Sequence, residues 1–418
     1  MKIYRYLLVY LCPQFLWGSY EASYDINMSP YAGGENLLLA TEIVEQGNLY
    51  IGKHLPLDNP LGVVWRASEL CALYLPLNFF TSVVQHEVFG HGYRIRDINH
   101  DLVSVLGYHF SWPPPYGNGS ASTSFSFKPR EITTTQLSCI AMAGFEAQSI
   151  LAMQTRWKWM ESAKVDPKQA ALYLVSLYAV SLYQKVDALH ADSISGHDLV
   201  EYTTFLNHTY TEGFLSVGAI QSLSWINLID PFTYYAVFAW GRYLFWGKET
   251  PLPMIPIGNY GYLFNIQMGL SPFGVEYFSY HYLVKKERPY SFYLKGGVHA
   301  QNTYFGLGCF APSLWKWNHF SLGFRFDAWR QPELLLFKGE VPLIYVDFRA
   351  PPEEIEPIYS EEKQHSQQYG VAASAIASYK VSSFFGLQGE LGYKTSGFLP
   401  GYSLYASPVV RVAGNFCF

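Results

Sequence analysis

The sequence predicts an α+β protein: a C-terminal antiparallel transmembrane β-barrel of about 8 to 12 strands, with a helical domain inserted toward the N-terminus. Alternating apolar and polar residues after position 250 predict the barrel, and helix-length apolar segments between residues 60 and 250 predict the helical domain. The composition agrees, because 18% of the residues are aromatic, 15% are charged and the mean hydropathy is +0.03. A barrel that alternates apolar and polar faces gives such an average. The net charge of −5 argues against a partner that is a nucleic acid.

The N-terminus resembles an export signal. Lys2 and Arg5 precede an apolar run over residues 6–17, and small residues follow at positions 18, 19, 22 and 23. This three-part pattern predicts a signal peptide over residues 1–22. Because Pro13 and Gln14 interrupt the apolar run, an N-terminal anchor or a buried strand is the alternative. The next segment, residues 23–59, holds possible barrel strands near 20–27 and 48–54.

The C-terminal segment, residues 251–418, contains eight windows that alternate between apolar and polar residues. They cover residues 262–270, 273–284, 290–300, 302–310, 320–328, 369–380, 381–393 and 403–418. Such alternation predicts strands with one apolar and one polar face. Residues 331–368 interrupt the series, and their acidic, proline-rich part predicts a long exposed loop.

Two architectures fit alternating strands. In a soluble β-sandwich the apolar faces point into a core, whereas in a transmembrane barrel they meet lipid. Windows of about 9 to 12 residues suit tilted strands that cross a bilayer, which favours the barrel. The final window alternates up to Phe418 and resembles the C-terminal signature of bacterial outer-membrane proteins. This resemblance implies the outer membrane of a Gram-negative-type bacterium, with outer-membrane lipid and the barrel-assembly machinery as partners.

The helical segment, residues 60–250, carries the sharpest chemical signal, the string His86-Glu87-Val88-Phe89-Gly90-His91. Common zinc peptidases use H-E-x-x-H, whose histidines share one helical face. Here the spacing is five residues, which places the histidines about 140° apart on a regular helix. Both could bind one metal if the helix widened by one residue, as in a π-bulge, or if it ended at Gly90. Glu87 and His91, four residues apart, could instead be the ligands of a non-catalytic metal.

The string resembles the zinc motif of the dipeptidyl peptidase III family of metallopeptidases, which has the same H-E-x-x-G-H spacing. The resemblance implies that His86 and His91 bind Zn²⁺, that Glu87 activates water, and that a glutamate on a later helix is the third ligand. Glu146 fits that role, since it is the only acid between residues 131 and 161, on an otherwise apolar segment. A lone carboxylate there is costly unless it is paired or bound to a metal. The likeness covers only these few residues.

A second polar group lies at residues 190–201, where two histidines accompany three acids. His197 is a candidate catalytic residue that stabilises an oxyanion or supports a metal ligand, and Asp198 could orient a histidine. The alternative is that Ser195 or Asp198 caps the following helix.

Three functions remain open from the sequence. The first is an outer-membrane zinc hydrolase, a metallopeptidase acting on a peptide or protein substrate. The second is a non-enzymatic barrel whose helical domain acts as a plug or binding module, with a structural metal or none. The third is an inner-membrane multi-span peptidase, which the charged residues that interrupt the apolar segments make less favoured.

Overall fold

The structure is a computed structural model that describes residues 19–52, 60–98, 101–111, 121–128, 132–183, 196–210, 213–336 and 366–417. Its central feature is a ten-stranded antiparallel sheet. The predicted signal peptide lies mostly outside the described residues. Its last residues, 19–22, belong to the first strand of the sheet.

The sheet follows the chain order of its strands, except that the N-terminal strand pairs with the C-terminal one. Its members are β1 (Ser19–Asp25), β6 (Ile255–Ile257), β7 (Tyr260–Ser271), β8 (Gly274–Lys285), β9 (Arg288–His299), β10 (Asn302–Trp317), β11 (Phe320–Pro332), β12 (Gln367–Lys380), β13 (Phe385–Lys394) and β14 (Ser407–Cys417). The order across the sheet is β1-β14-β13-β12-β11-β10-β9-β8-β7-β6. Each of the eight predicted windows overlaps one of the long strands β7 to β14, and the predicted strand near residues 20–27 is β1.

The sheet exposes its apolar face and buries its charged one. Leu294 is 54% exposed and Leu391 is 68% exposed. Polar residues on the opposite face are buried and paired: Lys295 Nζ lies 3.0 Å from Glu276 Oε1. A soluble sandwich has the reverse arrangement, because it buries its apolar face in a core.

The predicted strand near residues 48–54 is wrong over its described part. Residues up to 52 form the end of helix α1 (Pro30–Gly52), and residues 53 and 54 lie outside the described residues. A short apolar stretch such as Leu49–Ile51 fits the end of a helix as well as a strand, because only a longer window separates the two periods.

The helices lie between β1 and β6 in the chain. After α1 they are α2 (Leu61–Asp97), α3 (Thr134–Ser162), α4 (Ala170–Leu177), α5 (Ala179–Leu182), α6 (Asp198–Thr209), α7 (Val217–Ser224) and α8 (Pro231–Trp246). A 3₁₀ turn, Trp225–Ile229, joins α7 to α8. Two short pairs complete the fold: the hairpin of β2 (Val103–Phe110) and β3 (Ala121–Phe127), and β4 (Lys164–Val165) with β5 (Thr250–Pro251).

Helix α3 is buried between the other helices and the sheet. Its 29 residues begin with a capping box formed by Thr133 and Gln136 and end at Ala163, whose φ is 51°. Both polar and apolar residues of α3 are buried, because other helices cover one side and the sheet covers the other. A helix buried all round needs no amphipathic pattern.

The predicted helical and barrel segments share one hydrophobic core. Met142 and Phe145 of α3 cluster with Leu199 of α6 and with Leu270 and Tyr304 of the sheet. The start of the predicted exposed loop also differs from the expectation. Residues 334–336 are buried leucines, and residues 337–365 lie outside the described part of the chain.

Among the described residues, α2 is the one helix whose length and apolar content would allow it to cross a membrane. Its most apolar window has a mean hydropathy of 1.3, and a third of that window (33%) is buried.

Candidate metal centre

The H-E-x-x-G-H string lies on α2, and the helix widens there. Residues Glu87–His91 form a π-helical segment between two α-helical segments. The extra residue brings the two histidines together, so that Nε2 of His91 lies 3.1 Å from Nε2 of His86. The widening required by the spacing of five residues is therefore present.

Two glycines allow α2 to approach the central helix α3. A Cβ atom at Gly90 would lie 2.7 Å from the carbonyl oxygen of Ala143, and a Cβ atom at Gly144 would lie 2.3 Å from Nε2 of His86. Neither position has room for a side chain. The glycine of the motif, Gly90, thus allows the close contact between α2 and α3.

A Gly144→Ala variant should displace the His86 ring, because the added methyl group would overlap it. We expect metal affinity to fall about 10- to 100-fold, as when a group that orients a ligand is lost. Isothermal titration with Zn²⁺ measures the change. Gly218→Ala is the matched control, since Gly218 is also helical and a Cβ atom there would have no neighbour within 4 Å. Equal metal affinities of the two variants would contradict the overlap expected between the added methyl group and the His86 ring.

Asp198 provides the third group of the cluster. Its Oδ2 lies 2.8 Å from Nε2 of His86 and 3.4 Å from Nε2 of His91. It is the first residue of α6, and His197 caps that helix by accepting from the Val200 amide. One potential ligand atom from each of the three residues lies within 4.8 Å of the others, so the group could hold a metal ion.

Hydrogen bonds fix the orientation of both imidazoles. Nδ1 of His91 lies 2.7 Å from the carbonyl oxygen of Ile140, and Nδ1 of His86 lies 2.9 Å from Oε1 of Gln148. Because both partners accept, each Nδ1 donates a proton to its partner, and Nε2 is the ring atom of each histidine that is directed at the cluster. Gln148 is itself held by a bond from its Nε2 to the hydroxyl of Ser82, at 2.9 Å.

Asp198 is negatively charged in this setting. Burial alone would raise the pKa of its carboxyl group, but the facing imidazoles of His91 and His86 hold that pKa well below its usual range. Tyr183 donates its hydroxyl proton to Oδ2 of Asp198 at 2.8 Å. Burial and the charge of Asp198 raise the pKa of Tyr183, so its hydroxyl keeps its proton.

Glu146, the third ligand expected from the sequence, lies in an ion pair and is not a member of the histidine cluster. Both of its carboxylate oxygens are bound by the guanidinium of Arg94, with 3.0 Å between Nε and Oε2. The amide of Gly401 also donates to Oε1, at 2.6 Å. A buried carboxylate needs a charged partner. Here Arg94 on α2 is that partner, and Asp198 is the carboxylate that lies beside the two histidines.

The two predicted catalytic residues both lie close to the cluster. Glu87 is buried, and its Oε2 accepts from the hydroxyl of Thr123 on β3 at 2.7 Å. The ring of His197 packs edge-on against Tyr183, with 4.9 Å between the ring centroids.

Sequence reasoning missed several residues of this site, including Thr123, which holds Glu87. Arg94 lies three residues after His91, a spacing that places both near one helical face. Gln148 lies two residues after Glu146, whose charge is the stronger signal in that segment. Tyr183 gave no signal, because one tyrosine among 34 carries none. His190 and Asp192 of the predicted polar group lie outside the described residues.

The chain as a whole was compared with protein-family models, with curated proteins and with solved structures. None of the three comparisons gives a match. The likeness to the dipeptidyl peptidase III family is thus a likeness of one short motif, and the residues of the site carry the functional argument.

Proposed function

We propose that this protein is a zinc-dependent hydrolase of the bacterial outer membrane, a metallopeptidase whose site lies inside a barrel-like sheet. The observation that carries the proposal is the convergence of His86, His91 and Asp198 on one point, with Glu87 next to them in the chain. The peptide class of the substrate rests on the likeness of the H-E-x-x-G-H motif.

The donor set fits zinc. Tetrahedral zinc sites use histidine nitrogen and carboxylate oxygen at about 2.0 to 2.2 Å, so two ligand atoms stand about 3.3 to 3.5 Å apart. The three distances between Nε2 of His86, Nε2 of His91 and Oδ2 of Asp198 are 2.8, 3.1 and 3.4 Å. Only small shifts would convert this cluster into three corners of a tetrahedron. Three protein ligands leave one position for water or substrate, as catalytic zinc sites do.

Each residue then has a chemical task. Zinc, when bound, supplies Lewis-acid polarisation of the scissile carbonyl group and of a water molecule. Glu87 would act as the general base that accepts a proton from the attacking water, and the hydroxyl of Thr123 holds the Glu87 carboxylate in position. Gln148 and the carbonyl oxygen of Ile140 keep the two imidazoles in the tautomer that binds metal.

Tyr183 is a candidate for stabilising the negative charge that develops on the substrate. Its hydroxyl keeps its proton and lies at the edge of the cluster, where it donates to Asp198. A donor aimed at a developing oxyanion is a common source of rate enhancement. His197 packs against the Tyr183 ring and caps α6, so it supports the position of Tyr183 and of Asp198.

Metal removal tests the enzymatic proposal. The purified protein should contain about one zinc per chain, and it should cleave members of a mixed peptide library detected by mass spectrometry. Treatment with a chelator should abolish cleavage, and Zn²⁺ should restore it, because the proposed chemistry needs the metal. A folded protein that binds zinc yet cleaves no peptide would instead support a structural metal in a plug or binding module.

Cell fractionation tests the membrane proposal. The exposed apolar face and the buried charged face of the sheet predict recovery in the outer membrane, with a heat-dependent shift in mobility on a denaturing gel. The shift arises because barrels resist detergent until they are heated. Recovery of the mature chain in the soluble periplasmic fraction would refute the membrane placement and leave the metal site untouched.

A further inference from the structure

In the described part of the chain the sheet has two edges. One is β1, and the other is β7 beyond residue 262, because the short strand β6 pairs only with residues 260–262. On each of these two strands, one residue is bonded by the side chain of an asparagine from a neighbouring helix or turn. On β1, the amide of Ser23 donates to Oδ1 of Asn36 at 2.9 Å, and Nδ2 of Asn36 donates to the Ser23 carbonyl at 2.7 Å. On β7, the amide of Met268 donates to Oδ1 of Asn227 at 2.8 Å. Asn36 belongs to α1 and Asn227 to the turn before α8. The side-chain amides thus satisfy strand groups that a neighbouring strand would otherwise satisfy.

The helices at the two edges are joined to each other by buried polar contacts. Glu69 of α2 accepts from the side-chain amide of Asn48 on α1 and, at 2.8 Å, from the hydroxyl of Tyr243 on α8. Arg66 of α2 donates from Nε to the carbonyl of Leu244 on α8 at 3.0 Å. Hydrogen bonds therefore connect β1 to α1, α1 to α2 and α2 to α8, and α8 directly follows the turn whose Asn227 bonds to β7.

The outer surface of these three helices is apolar. Phe238 of α8 and Val64 of α2 are each 61% exposed. The other large exposed apolar residues of the three helices are Ile43, Leu49 and Ile51 of α1, Leu61 of α2, and Tyr234, Val237, Phe245 and Trp246 of α8. On α8 the positions 234, 238, 241 and 245 follow helical spacing and share one face. Glu69 and Arg66, which join the helices, are buried. The helices thus repeat the distribution of the strands, with apolar groups outside and charged groups inside.

We propose that α1, the first half of α2 and α8 form part of the outer wall and contact the acyl chains of the membrane lipid. The inference rests on the proposal that the sheet itself faces a bilayer. An open sheet edge in lipid would leave backbone groups unpaired, whereas a helix satisfies its own. The wall would then consist of ten strands and a helical seam. Soluble monomers rarely expose apolar patches of this extent, and the seam adjoins strands with the same exposed chemistry.

Lipid photolabelling of the unmodified protein tests the seam. The full chain is reconstituted in phosphatidylcholine vesicles that contain a phosphatidylcholine with a diazirine in its acyl chain. After irradiation, labelled peptides are mapped by mass spectrometry. We expect label on α8 between residues 234 and 246 and on α2 near residues 61–64, at a level similar to that on the outward residues of β9, such as Leu294 and Val298.

The possible results separate the seam from the barrel. Label on β9 without label on α2 and α8 would overturn the seam and keep the membrane placement of the sheet. Absence of label from β9 as well would overturn both.

A pair of variants gives an independent measurement. Val237→Arg places a charge on the outward face of α8, and Glu249→Arg changes an exposed residue just beyond that helix. If α8 contacts lipid, Val237→Arg should lower the yield of vesicle-inserted protein several-fold relative to Glu249→Arg, because a charge on a lipid-facing surface opposes insertion. Equal yields of the two variants would argue against a lipid contact at α8.

Discussion

A Glu87→Gln variant should keep its zinc and lose about 100- to 10,000-fold of its hydrolytic rate, the usual effect of removing a general base. Glutamine has the shape of glutamate and can still accept the hydrogen bond from Thr123, so the local packing should persist. It cannot take a proton from water. Zinc content by elemental analysis and the rate of peptide cleavage give the two readings.

Glu249→Gln is the matched control for that variant. Glu249 is exposed, and its carboxylate pairs with the exposed side chain of Lys164. Neither residue belongs to the cluster of His86, His91 and Asp198, so neither zinc content nor rate should change. Loss of zinc from Glu87→Gln would mean that Glu87 and His91 are the ligands, which is the alternative given in the sequence analysis. A zinc-loaded Glu87→Gln protein with full activity would remove Glu87 from the mechanism.

An Asp198→Asn variant should lose most of its affinity for zinc. The loss should exceed the roughly 10- to 100-fold that is typical when a residue that only orients a ligand is removed. The amide has the same size as the carboxylate but carries no charge, and charge is what makes Asp198 a good partner for the metal and for the two imidazoles. Isothermal titration and competition with a chromogenic chelator give the affinity. His86→Ala should show a loss of similar size.

Glu146→Gln is the informative comparison, because Glu146 is the ligand expected from the sequence. It should keep zinc at wild-type affinity, since its carboxylate is bound by Arg94 and by the Gly401 amide. Its stability should fall instead, by up to about 3 to 5 kcal/mol, because the buried ion pair is broken and Asp97, 3.5 Å from Nη1 of Arg94, is the counter-charge that remains. Thermal unfolding measures this loss. A Glu146→Gln protein that folds normally but has lost its zinc would restore Glu146 as a ligand.

The local patterns of the sequence identified the parts of the site that depend on neighbours along one helix. The spacing of His86 and His91 required a widened helix, and the π-segment at Glu87–His91 provides it. The partner of Glu146 could not be found in this way, because burial requires a partner but does not say which one. Arg94 and a metal were equally compatible with a carboxylate on an apolar helix.

The sequence by itself determined the long strands, since a period of two residues marks a strand and its two faces. It also determined the helical character of the central segment and the pairing of the two histidines. Only the tertiary structure decided which face of the sheet is outside, because alternation is the same for a sandwich and a barrel. It likewise decided the third member of the candidate metal cluster: Asp198 lies 112 residues after His86, and only the packing of α6 against α3 brings the two together. Contacts between distant segments depend on how whole elements pack, and no local spacing encodes them.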